Sequence, residues 1–196
     1  MKITLNAEEL RNLRACKKGY EAFFEAHGEN TVTLSQAFES NGWDDIWWYI
    51  AKISNLLSEE QDRDLRLLAC DYAADVLHYF EDKYPDYKRP REAIEASRKF
   101  ANGEIGDDAV RAAASAVRAA ASVASPVSAS RAAYAAAAAA AASASAAASA
   151  AAAAAAASAA AAAAADWAAP DAAAAAKKQW QEQKLKELFI KWGSYK

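Results

Sequence analysis

Between Ala132 and Ala165 the chain holds 29 alanines, four serines and Tyr134, and nothing else. Alanine has the highest helix propensity of the natural residues, and a window this long sums that preference into a helix wherever the segment is ordered. Drawn as one helix from Val127 to Ala165, it would run about 58 Å at 1.5 Å per residue. That is longer than an ordinary domain is wide, so a break or bend is expected inside it. Arg131 is the one charge in that span, whereas a solvated helix normally carries a charged face. The run is therefore expected to bury itself. Small facing side chains let helices approach more closely than the usual spacing of about 8–10 Å, and serine fits the same space. The expectation is a layer of long, closely packed alanine-rich helices. A membrane span is the competing reading. Alanine is only weakly apolar and the run contains no Leu, Ile, Val or Phe, so that reading is disfavoured.

Because alanine buries little area, larger side chains must supply the burial energy. They cluster in residues 1–100 and again at 177–196. Asn6 and Glu9 have the form of a helix N-cap and capping box, with Leu10 and Leu13 facing inward. The chain is expected to turn near Gly19, and Tyr20, Phe23 and Phe24 open the next apolar stripe. Thr33 or Ser35 starts a short helix ending near Asn41-Gly42. From Asp44, the residues Ile46, Trp47, Ile50, Ile53, Leu56 and Leu57 follow helical spacing. Ser58 and Gln61 begin a helix carrying Leu65, Leu68, Tyr72, Val76, Tyr79 and Phe80, which stops before Pro85. Pro90 suits the first turn of the next helix, which passes Ile94 and Phe100 and ends at Gly103. Asp107-Asp108 opens the alanine-rich part and Ser125-Pro126 interrupts it. A last helix, starting at Pro170-Asp171, carries Trp180, Leu185, Leu188, Phe189 and Trp192. Thr31 to Leu34 alternates but is too short to carry a sheet. The expected fold is all-α, a helical bundle in one domain over 1–196. Its aromatic-rich half spans 1–105; alanine-rich helices and a C-terminal amphipathic helix span 106–196.

The charge is nearly balanced, Lys+Arg 23 against Asp+Glu 26 for a net of -3. Such a chain has no general attraction for nucleic acid or an anionic membrane. Cys16 and Cys70 form no CxxC pair, and free thiols in a reducing compartment are expected. The N-terminus lacks an apolar signal core, which points to the cytoplasm. No phosphate-loop or dinucleotide glycine motif occurs among the six glycines, and His27 and His78 are the only imidazoles to serve a serine nucleophile. Asp71, Asp75 and His78 share one helix face, where a divalent metal would fit; the plainer reading is a solvated face. Cys16, His27, Cys70 and His78 lack zinc-site spacing. The acid pairs Asp44-Asp45, Glu59-Glu60 and Asp107-Asp108 sit where helices begin and complement the helix dipole. No catalytic residue, metal site or cofactor is expected.

Two clusters suggest recognition. Lys88, Arg89 and Arg91 flank Pro90 where a helix begins, and backbone amides with such cations form a phosphate site. Arg98, Arg111, Arg118 and Arg131 add charge if the alanine helices pack nearby; the alternative is that Arg91 pairs with an acid such as Glu95. Trp43, Trp47 and Trp48, with Tyr49, form the densest aromatic cluster. Trp47 is expected in the core, leaving Trp43 or Trp48 exposed as an anchor. The candidate binding residues are Trp43, Trp48, Lys88, Arg89, Arg91, Arg98, Arg131 and Tyr134.

The segment Pro90-Arg91-Glu92-Ala93-Ile94-Glu95-Ala96-Ser97-Arg98 is followed by Ala101-Asn102-Gly103-Glu104 and Arg111-Ala112-Ala113-Ala114. With Ser130-Arg131-Ala132-Ala133-Tyr134-Ala135-Ala136, Leu13-Arg14-Ala15-Cys16-Lys17-Lys18-Gly19 and Trp180-Gln181-Glu182-Gln183-Lys184-Leu185, it resembles the immunity proteins found beside bacterial polymorphic toxins, a family also present in phages. The resemblance spans most of the chain and implies a small helical protein that neutralises a partner by binding it, without catalysis. The implied partner is a protein toxin or effector domain. The alternative is a phage-type protein that sequesters a phosphate-bearing nucleotide signal through Lys88, Arg89, Arg91 and the tryptophans. The family's alanine helices usually carry more tyrosines than the Tyr134 found here. A homodimer through the alanine faces is a further expectation.

Overall fold

In the computed structural model, residues 3–106, 108–109 and 170–193 are described. The alanine run, with Arg131, Tyr134 and the close packing expected there, lies outside them, as do Arg111 and Arg118. No helix among the described residues is long and apolar enough to cross a membrane.

The fold is all-α apart from one short ladder. Strand β1 (Thr4–Leu5) pairs antiparallel with β2 (Val32–Thr33), Thr4 opposite Thr33 and Leu5 opposite Val32. The Thr31–Leu34 stretch does therefore form a strand, contrary to the length argument. Leu5 and Val32 are both buried, so packing beneath the ladder supplies what two residue pairs alone would lack.

Helix α1 (Ala7–Asn12) is capped by Asn6, whose side chain accepts the Glu9 N–H at 2.9 Å. The Glu9 carboxylate does not complete a capping box; it stands 3.0 Å from the Tyr49 hydroxyl. The chain turns directly after α1, where Arg14 takes a left-handed φ of 59° and Ala15 N–H donates to the Leu10 carbonyl at 2.9 Å. The turn thus precedes Gly19, which lies in the first turn of α2 (Lys17–His27).

Helix α3 (Leu34–Lys52) starts with a reciprocal capping box of Thr33 and Gln36. Gly42 at φ 77° kinks it. The first limb ends there, as the Asn41-Gly42 pair suggested, and Asp44-Asp45 open the second limb. After Lys52 a 3-10 turn (Ser54–Leu56) follows, leaving Leu56 exposed outside the apolar stripe.

Ser58 and Gln61 cap α4 (Glu59–Asp75) reciprocally. After a break at Val76-Leu77 the chain forms α5 (His78–Glu81) and then α6 (Arg89–Ala101), with Pro90 in its first turn. Gly103 at φ 76° and the Glu104 N–H bonded to the Lys99 carbonyl at 2.9 Å close α6 with a Schellman turn. Helix α4 packs on α6, where Cys70 of one meets Ser97 of the other; Ala69 and Ala73 of α4 and Ala93 of α6 are likewise small and buried.

The last helix, α7 (Pro170–Gly193), packs on α3 and α4. Leu185, Leu188, Phe189 and Trp192 are buried in the same core as Phe23, Ile46, Ile50, Leu65 and Tyr72. Polar ties fix the register. Tyr72 donates to the Gln181 carbonyl at 2.9 Å, the Trp192 indole donates to Asp64 at 3.1 Å, and Lys177 pairs with Asp75.

Candidate binding site

Helices α1, α2 and α3 meet around a half-open hollow of about 270 Å³. Its lining includes the buried Leu5, Leu10, Phe23 and Ile46 and the small residues Ala15, Gly19 and Ala37. Asn41, Asp44, Asp45 and Trp48 stand at one side. The second limb of α3 places the last three, because Asp44, Asp45 and Trp48 follow the Gly42 kink within about two helical turns. Asn41 ties the limb to α2, donating to the Gly19 carbonyl at 2.7 Å and to Asp45 at 3.0 Å. A Cβ at Gly19 would lie 2.8 Å from an Asp45 carboxylate oxygen, so a larger residue there would displace the Asp45 side chain. Asp44 is exposed. Cys16 lines the hollow and caps α2, its Sγ accepting the Gly19 N–H at 3.3 Å.

The sequence candidates are scattered. Trp48 is half-buried in this hollow, with the Lys52 ammonium 5.8 Å from its ring centre. Trp43 is half-buried elsewhere, its ring 5.7 Å from Trp47 and 6.2 Å from Tyr72; Trp47 is core. Neither Trp43 nor Trp48 is exposed: Trp43 packs against Trp47 and Tyr72, and Trp48 lines the hollow. Lys88, Arg89 and Arg91 are exposed at the α6 start and none lines the hollow. Lys88 donates to the Pro85 carbonyl, Arg89 to the Tyr87 hydroxyl at 3.0 Å, and Arg91 grips Glu81 through two nitrogens. Arg91 thus ties α6 to α5 rather than pairing with Glu95 along its own helix. Arg98 pairs with Asp71 at 2.9 Å. Asp71 and Asp75 each hold a cation, and the His78 ring lies tilted against Tyr79 with ring centres 4.0 Å apart.

One pairing was invisible in the sequence. His27 Nε2 lies 3.0 Å from Ser40 Oγ. That hydroxyl also lies within hydrogen-bond distance of the Ala37 carbonyl and the Asn41 side-chain oxygen, which makes the contact a tie between α2 and α3. The thiols are both free, Cys16 exposed and Cys70 buried; burial pushes the Cys70 thiol up to about 12. Burial likewise raises the Tyr49 and Tyr72 phenols above their usual range, with Glu9 and Asp71 respectively adding to it.

The fold and its hollow define a helical protein with a preformed apolar recess rimmed by acid. The chain belongs to the family described as Imm-5 like putative immunity protein, whose profile matches residues 55–188, more than half of its length. No curated protein and no solved structure matches it. The family match begins after the last residue of the hollow, so the membership and the recess rest on different parts of the chain.

Proposed function

We propose that this chain is an immunity protein that neutralises a partner protein, such as a toxin domain, by binding it and without catalysis. Membership in the immunity family carries this reading. The recess supports it: it is mostly apolar and preformed, the character of a protein-anchoring pocket. A phosphate-bearing ligand at the start of α6 finds less support, since Arg91 and Arg98 are already neutralised by Glu81 and Asp71.

The test is co-expression with toxin domains of polymorphic systems, scored by growth rescue and by a stoichiometric complex on size-exclusion chromatography. Rescue with complex formation is expected for a cognate domain. Failure across a panel, together with retention of a nucleotide in native mass spectrometry, would overturn the proposal in favour of a small-molecule sponge.

A further inference from the structure

The recess is built to receive something of particular chemistry. Its volume of about 270 Å³ exceeds the roughly 150 Å³ that accommodates a benzene ring in an engineered cavity. Three wall positions, Ala15, Gly19 and Ala37, are occupied by the smallest residues, and any larger side chain there would narrow it. Both charged residues of the lining are acids, Asp44 and Asp45. Asp45 is engaged by Asn41 and lies against Gly19. Asp44 is exposed at the rim with no ion pair or hydrogen bond among the described residues. The Trp48 ring is already faced by the chain's own Lys52 ammonium at 5.8 Å, so Asp44 is the group of the lining left to meet a further cation.

We infer that the α1–α3 recess docks a segment of the partner protein that presents a large apolar side chain next to an arginine or lysine. The apolar group enters the hollow between Ala15 and Trp48, the half-buried part of its lining, and the cation meets Asp44. Charge complementarity selects this occupant: an acidic or neutral segment would gain the apolar contact but leave Asp44 unmatched. The inference rests on the binding role proposed above and assigns it a place outside the family-matched segment.

The probes are three dye-labelled, end-capped peptides of equal length, carrying Phe-Arg, Phe-Glu or Ala-Arg at their centre. Fluorescence anisotropy on the full chain is expected to show the Phe-Arg peptide binding at least tenfold more tightly than either control. Asp44→Lys, at an exposed position, and Ala15→Phe, which fills the recess, should each weaken it tenfold or more. Thermal melts identify any misfolded variant, and Asp44→Lys alone then carries the comparison. Equal binding of the three peptides, no binding of any, or wild-type binding by a folded variant would overturn the assignment. The same variants go into the rescue assay. If wild type and both variants protect equally, the recess is not the docking site while the immunity role stands; if wild type never protects, the role itself falls.

Discussion

Asp64 is the sharpest test of how α7 is held. Its carboxylate, with the side chain 3% exposed, accepts Lys191 Nζ at 2.6 Å and the Trp192 indole at 3.1 Å. Trp192 is 1% exposed. Asp64→Ala therefore strands an indole N–H where water cannot reach it, at about 1–3 kcal/mol for a buried donor left unsatisfied. The Lys191 arm adds less, because that side chain is 48% exposed and solvent screens it. The expected loss is about 2–4 kcal/mol, a large share of the 5–15 kcal/mol typical of a domain. Urea denaturation followed by tryptophan fluorescence and circular dichroism measures it, with an unchanged m-value showing that the unfolded reference is the same. Asp64→Asn keeps an oxygen for the indole and is expected to recover about half of the loss. Hydrogen exchange should show the α7 amides opening first in the alanine variant. A change below about 0.5 kcal/mol, or equal losses for Asn and Ala, would refute the reasoning.

Three other outcomes follow from the same structure. A thiol reagent at pH 8 should label one cysteine per native chain, the exposed Cys16, and two in urea, since burial holds the Cys70 thiol protonated. Raised folded pKa values for Cys70, Tyr49 and Tyr72 mean the native state keeps these protons longer than the unfolded chain. Their contribution is complete below the ordinary thiol value of 9.0 and is lost as pH climbs through the folded values, at about 1.4 kcal/mol per group per pH unit; urea midpoints should be flat to pH 8 and fall above 9 to 10. Arg14→Gly should stabilise the fold by about 0.5–1 kcal/mol, because the left-handed turn after α1 strains any residue with a Cβ, and a loss of stability would contradict that reading.

Much of the helical framework was legible because local rules suffice for it. Ser58 with Gln61, Thr33 with Gln36 and Pro90 mark helix starts through groups that lie three or fewer residues away. The stripe from Leu65 to Phe80 is buried as its spacing required. Where local rules met a competitor, they failed. The β1–β2 ladder is held by residues far apart in sequence. The turn near Gly19 was misplaced because Arg14 took the left-handed position that usually marks glycine. Of the candidate binding residues among those described, only Trp48 reached the recess. The spacing of Asp44 and Trp48, i and i+4 on one helix face, was the available signal; reading the acid pair only as a helix start concealed it.

The sequence by itself determined that this chain is mostly helical, where most of the described helices begin and much of what turns inward, because propensity, capping and periodicity act within a turn or two; Phe24 and Leu56, both on the apolar stripes, stayed exposed. Tertiary structure alone decided that α1, α2 and the kinked α3 leave a recess. It also decided that Arg91 spends its charge on Glu81, and that α7 returns to lock onto Asp64. Those outcomes depend on distances between residues remote along the chain, and packing sets such distances only once every helix is in place.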